Sequence, residues 1–186
     1  MLEPGSMIGI LGGGQLARML SVAASRIGYR THIFDPNPNS PAFDVATSKT
    51  VGSFQDKDLL RKFAKEIDLG TFEFENIPNS ALEQIENLVS IFPQKKALSI
   101  SQDRIKEKQF FSSLKLKTAK YAPVDTFEDF LKAIIEVKIP SILKTCREGY
   151  DGKGQLLITE DTSKKEVEKH LLLGPCILES FINFGK

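Results

Sequence analysis

The segment GILGGGQLARML, Gly9–Leu20, sets three consecutive glycines between an apolar run and a helical pattern. Gly12, Gly14 and Ala17 fill the small positions of G-x-G-x-x-G/A, a turn that can bring backbone amides at a helix N-terminus close to phosphate oxygens. Upstream, Ile8, Ile10 and Leu11 predict a buried first strand. Downstream, Leu16, Met19, Leu20 and Ala23 recur at helical spacing, and Gly28 stands where such a helix ends. Asp35 follows Gly12 by 23 positions, near where a dinucleotide-binding domain carries its ribose-binding acid. Three readings stay open at this point: a tight turn with no ligand, a phosphate or ribose site, and an NAD site.

From Met7 to about residue 100, short apolar runs alternate with helical stretches, the pattern of βαβ units on a parallel sheet. THIFD, Thr31–Asp35, is read as the second strand, and PNPNSPA after it as a binding loop. Lys49–Val51 is read as a short strand and Asp56–Ile67 as an amphipathic helix. GTFEFE, Gly70–Glu75, is read as a strand, with Glu73 and Glu75 on one face and Phe72 and Phe74 on the other. Ser80–Val89 is expected to be helical, and VSIFP strand-like.

Beyond this the alternation changes. A charged helix, Asp103–Leu114, leads into a strand at TAKYAPV, a helix at Phe127–Val137 and a strand at SILKT. The polar, glycine-rich hairpin CREGYDGKG follows, then QLLIT, a helix at Ser163–Leu173, and CILESFI. Lys144 in SILKT is an ammonium group on an apolar strand, which calls for an anionic partner. Gly149, Gly152 and Gly154 let amides approach phosphate oxygens, and Lys153 adds charge. A strand lysine beside a glycine-rich hairpin is a nucleoside-triphosphate arrangement, although it is neither a Walker loop nor a kinase loop.

Composition bounds the rest. The 186 residues are 41% hydrophobic, enough for one or two cored domains, and 25 basic against 24 acidic side chains give a net charge of +1. That balance offers no broad attraction to nucleic acid or membrane. Cys146 and Cys176 are too few for a disulfide framework or zinc site, which fits a reducing cytoplasm. No apolar run is long enough to span a bilayer. His32 and His170 lack partners at metal-ligand spacing. MLEPGS, residues 1–6, is read as a cloning scar, and the stop at FINFGK as a cut in the chain.

Six ordered blocks, GILGGGQLARML, FDPNPNSPA, TFEFENIP, SQDRIKEKQF, LKTCREGYDGKGQ and ILESFINF, resemble the amino-terminal half of the 5-(carboxyamino)imidazole ribonucleotide synthase family. The resemblance implies an α/β chain with a Rossmann-like, parallel-sheet pre-ATP-grasp domain over residues 7–100. The first α+β lobe of an ATP-grasp domain, truncated, follows over residues 101–186. It further implies ATP-dependent carboxylation of 5-aminoimidazole ribonucleotide by bicarbonate through carboxyphosphate, in a cytoplasmic homodimer with small-molecule substrates.

Carried over by position, Arg104 and Lys144 are expected to contact ATP. So are the loop residues Gly149, Tyr150, Asp151, Gly152, Lys153, Gly154 and Gln155, and the strand residues Glu179, Ser180, Phe181 and Ile182. Asp151 and Lys153 are expected to be catalytic, and Gly14, Gln15, Glu73 and Tyr150 to line the aminoimidazole pocket. The family's Mg2+ ligands are expected beyond Lys186, so this chain alone is expected to be inactive. Glycinamide ribonucleotide transformylase and biotin carboxylase share the architecture. An NAD-dependent oxidoreductase and a non-catalytic nucleotide-binding fragment are the readings from other classes.

Overall fold

The computed structural model describes residues 2–149 and 152–183, and the chain divides between Ser99 and Ile100 into two compact units. In the first unit, β1 (Met7–Leu11) leads through the glycine turn into α1 (Gln15–Arg26), then β2 (Arg30–Asp35). A 3-10 turn (Pro41–Asp44) precedes β3 (Ser48–Val51), α2 (Lys57–Lys65) and β4 (Leu69–Phe72). Next come α3 (Asn79–Ile85) and α4 (Lys95–Ser101), the latter reaching across the division. The four strands are parallel in the order β3-β2-β1-β4. The winding therefore reverses between β1 and β4, and the carboxyl ends of those two strands flank the crevice in which such sheets bind ligands.

Local chemistry explains these elements. α1 ends in a Schellman arrangement in which Tyr29 N–H donates to the Ala24 carbonyl and Gly28 N–H to that of Ser25, with Gly28 at φ +85°. α2 is capped by Asp56, whose carboxylate accepts from the Leu59 amide. Leu60, Phe63 and Ala64 of α2 and Ala81, Leu82 and Ile85 of α3 pack with Leu11 and Phe34 in the main core.

The apolar spacing that marks α1 in the sequence belongs to its outer side. Leu16 is 57% and Met19 60% exposed, while Ala17 and Ser21 are the buried positions. Small residues let the helix approach the sheet closely, so the larger apolar side chains point away. The TFEFE segment also differs from expectation. β4 stops at Phe72, and Glu73 leaves the ladder to bond the glycine turn, which ends the alternation of faces. VSIFP contributes one isolated parallel bridge, Gly70 to Ile91, and the helix expected over Ser80–Val89 spans Asn79–Ile85. The short helix α4 has no counterpart in the sequence reading.

The second unit opens with α5 (Arg104–Ser113), N-capped by Asp103. Strand β5 (Tyr121–Val124), α6 (Phe127–Val137), β6 (Ser141–Thr145), β7 (Gln155–Ile158), α7 (Lys164–Leu171) and β8 (Cys176–Ser180) follow. The strands form an antiparallel sheet in the order β5-β8-β6-β7. Capping boxes start α6 (Thr126 with Asp129) and α7 (Ser163 with Glu166). Leu143, Cys176 and Leu178 turn to the core with Phe130, Ala133 and Val167 of the two helices. Strand alternation then sends Lys144 and Glu179 to the opposite face, which is the face that carries the candidate chemistry.

Candidate functional site

In the first unit the glycine turn is already occupied by the chain's own carboxylates. Glu73 accepts hydrogen bonds from Gly14 N–H through Oε1 at 2.7 Å and from Ala17 N–H through Oε2 at 2.8 Å. Asp35 Oδ2 accepts from Gly13 N–H at 2.7 Å, while its Oδ1 holds the Asn37 amide and the Ser40 hydroxyl. α1 has no acid in its first turn and no side-chain cap of its own, so Glu73 supplies the negative charge that a helix N-terminus favours.

The three glycines follow from this packing. A Cβ on Gly12 would fall 2.6 Å from Glu73 Cγ, one on Gly13 2.7 Å from Ser40 Cβ, and one on Gly14 2.7 Å from Glu73 Oε1. The resemblance to an NAD turn therefore ends at the sequence pattern. Asp35 serves the turn and the loop after β2, and the amides of Gly13, Gly14 and Ala17 are satisfied internally. Gln15 is exposed beside them.

In the second unit, cross-strand pairing gathers the other candidates. Lys144 pairs with Gln155 of β7 and Ile177 of β8, and Glu179 lies diagonally across from Lys144 on the same face, opposite Tyr121. Lys144 Nζ donates to Glu179 Oε2 at 3.1 Å. A second ammonium, Lys108 Nζ of α5, stands 3.3 Å from the same oxygen. All three side chains are largely buried, Glu179 to 8% exposure. Ser180 ends β8, and Phe181 and Ile182 continue beyond it, exposed, with Phe181 N–H donating to the Pro140 carbonyl.

The hairpin between β6 and β7 is fastened from α5. Arg104 donates through Nη1 to the Thr145 carbonyl at 3.0 Å and through Nη2 to the Gly149 carbonyl at 2.9 Å. Thr145 N–H donates to the Gly154 carbonyl at 2.9 Å and closes the hairpin. Gly154 is at φ +67°, and a Cβ there would sit 2.6 Å from Thr145 Oγ1, so position 154 admits glycine on two counts. Gly152 is at φ +78° in open space, and Lys153 and Gln155 are exposed. Tyr150 and Asp151 lie outside the described residues.

The structure thus brings Arg104 to Gly149 and Lys144 to Glu179, within one unit. Lys108 is the residue that the sequence reading missed. Its signal was present in SQDRIKEK, since it follows Arg104 by four positions and so shares that helix face. It also lines a groove of about 460 Å³ with Glu107, Phe111, Leu116, Lys117 and Thr118. Among the described residues, no group of three or more His, Cys, Asp or Glu side chains forms a metal site, and no helix is long and apolar enough to cross a membrane.

Comparison with known proteins agrees with this two-part organisation. Residues 6–102 match the ribonucleotide synthetase pre-ATP-grasp domain, and residues 109–186 match the ATP-grasp domain. The chain is 38% identical to an N5-carboxyaminoimidazole ribonucleotide synthase of Bacillus subtilis, covering 99% of this chain and 48% of that one. It superposes on the ADP complex of N5-carboxyaminoimidazole synthetase from Staphylococcus aureus with a TM-score of 0.94 at 33% identity, covering 99% of this chain and 49% of the other. The Aspergillus clavatus N5-carboxyaminoimidazole synthase in complex with ADP and 5-aminoimidazole ribonucleotide matches with a TM-score of 0.86 at 26% identity, covering 97% and 48%. The chain spans about half the length of these relatives and corresponds to their amino-terminal part. Because the pre-ATP-grasp match over residues 6–102 takes in more than half of the 186 residues, the chain belongs to the ribonucleotide synthetase pre-ATP-grasp family.

Proposed function

We propose that the protein to which this chain belongs carboxylates 5-aminoimidazole ribonucleotide with bicarbonate at the expense of ATP, a step of purine synthesis. The observation that carries this reading is the single sheet face on which Lys144, Glu179 and the glycine-rich hairpin meet. Relatives of the same fold are named as complexes with ADP and with 5-aminoimidazole ribonucleotide, which supports it.

In this reading ATP transfers its γ-phosphoryl group to a bicarbonate oxygen, giving carboxyphosphate and ADP. The exocyclic amine of the ribonucleotide then takes the carboxyl group, and phosphate leaves. Developing phosphate charge has to be met by fixed cations and amides, and carboxyphosphate has to be kept from water. Lys144, Arg104 and the loop residues Gly149, Tyr150, Gly152, Lys153, Gly154 and Gln155 are assigned to the phosphates. Glu179, Ser180, Phe181 and Ile182 are assigned to the adenine and ribose.

Asp151 and Lys153 are assigned beside the reacting amine. Gly14, Gln15, Glu73 and Tyr150 are assigned to the ribonucleotide pocket. Mg2+, bicarbonate, a homodimeric assembly and a cytoplasmic location complete the proposal; magnesium would neutralise phosphate charge. The domain limits proposed are residues 7–100 and 101–186.

The test is ATP hydrolysis by the full-length gene product, with bicarbonate, in the presence and absence of 5-aminoimidazole ribonucleotide. Turnover that rises with the ribonucleotide and yields its N-carboxylated product is expected. Turnover indifferent to it, or stimulated by glycinamide ribonucleotide instead, would overturn the assignment.

A further inference from the structure

Two ammonium groups share one carboxylate oxygen in the second unit. Lys144 Nζ and Lys108 Nζ lie 3.1 and 3.3 Å from Glu179 Oε2, and the three side chains are 20%, 15% and 8% exposed. The cluster therefore carries one positive charge more than its resident anion balances. Surplus charge in a poorly hydrated place is costly unless an anion joins it.

The two cations reach Glu179 by different routes. Lys144 extends from β6, directly across from Gln155 at the root of the glycine-rich hairpin. Lys108 comes from α5, four residues beyond the Arg104 that holds the hairpin's Gly149 carbonyl, hence about 6 Å further along the helix axis. Lys144 thus stands on the strand that runs into the hairpin, and Lys108 on the helix whose Arg104 fastens it.

We propose that Lys108 is the standing counter-ion of Glu179, and that its presence frees Lys144 to turn from Glu179 to the phosphate groups of a bound nucleotide. Without Lys108, Lys144 is the only ammonium at Glu179 among the described residues, and its departure would leave a buried carboxylate unpaired. With Lys108 in place, Glu179 keeps one ion pair and its remaining acceptor capacity. Lys108 is on this account a positioning residue, acting on the phosphates through Lys144. The proposal rests on the nucleotide reading of this face.

The test compares ADP with adenosine, the latter measured by displacement, on the full-length protein. Lys108→Met is expected to weaken ADP by about tenfold or more and adenosine by less than about threefold, because only the diphosphate loses its cation. Lys108→Arg, which retains the charge, is expected to restore the ADP-to-adenosine ratio, as is the double variant Lys108→Met with Glu179→Gln, in which Lys144 no longer has a charged partner. Should Lys108→Met fail to fold, Lys108→Gln takes its place. An unchanged ratio in the neutral variants, or no recovery in the double variant, overturns the role of Lys108 alone. Failure of the unsubstituted protein to bind ADP overturns the nucleotide reading, and this proposal with it.

Discussion

Glu73 Oε1 accepts the Gly14 amide at 2.7 Å, joining the residue just past β4 to the N-cap position of α1 across the switch point of the parallel sheet. Together with the bond from the Ala17 amide, this makes Glu73 the N-terminal cap that α1 lacks locally. Glu73→Ala is expected to destabilise the first unit by about 1–2 kcal/mol, the range for loss of a cap with its charge. Urea denaturation of the wild-type and variant proteins measures it. An unchanged midpoint would mean that the carboxylate gives α1 nothing.

That contact also shows where the sequence was legible and where it was not. β1, α6 and β6 stand where the apolar runs and helical spacing indicate, because each is specified within its own few residues. The glycine turn was equally plain, yet its partner was not, since Glu73 lies 59 positions from Gly14. Local periodicity read Glu73 as one tooth of a strand, while a long-range bond to free helix amides took it out of the ladder. Lys108 was hidden for the same reason. Its spacing from Arg104 is visible in the chain, whereas its pairing with Glu179 exists only once α5 lies against β8.

His32 on β2 is buried at 2% exposure, with Nε2 bonded to Thr50 Oγ1 and Nδ1 3.4 Å from Glu66. Burial holds its pKa below the ordinary histidine value, against the opposing pull of Glu66, and burial lowers that of His170 as well. Below about pH 6.5 the unfolded chain then binds more protons than the folded one, so stability is full above that pH and declines as the pH falls through it. His32→Gln is expected to flatten part of this decline, leaving the His170 share. Denaturation midpoints on either side of that pH test the sign, and a wild-type midpoint rising on acidification would refute it.

Cys146 and Cys176 are both buried, and burial pushes their thiols up to about 12 and about 11. The thiolate is the reactive form, so almost none is present near neutral pH, and the core shields what there is. Neither cysteine is expected to react with a disulfide reagent in the native protein at about pH 8, and both should react once it is unfolded. Rapid labelling of one thiol in the folded state would show that its strand end opens readily.

Arg104 bridges two carbonyls that lie at the root of the hairpin and within it, Thr145 and Gly149. A guanidinium can do this because its donors form a fixed fork, whereas a lysine offers one compact charge at the end of a flexible stem. Arg104→Lys therefore keeps the charge and loses the bridge. Removing one charged hydrogen bond costs about 1.5–3 kcal/mol where it is made, enough to raise local opening by roughly tenfold or more. The sensitive reporter is the Thr145 amide, which closes the hairpin on the Gly154 carbonyl. Its hydrogen exchange is expected to accelerate in Arg104→Lys while amides of the α6 core keep their protection. Equal exchange in the two proteins would reduce Arg104 to a plain positive charge, and the fastening of the hairpin would then have to come from the ladder between β6 and β7.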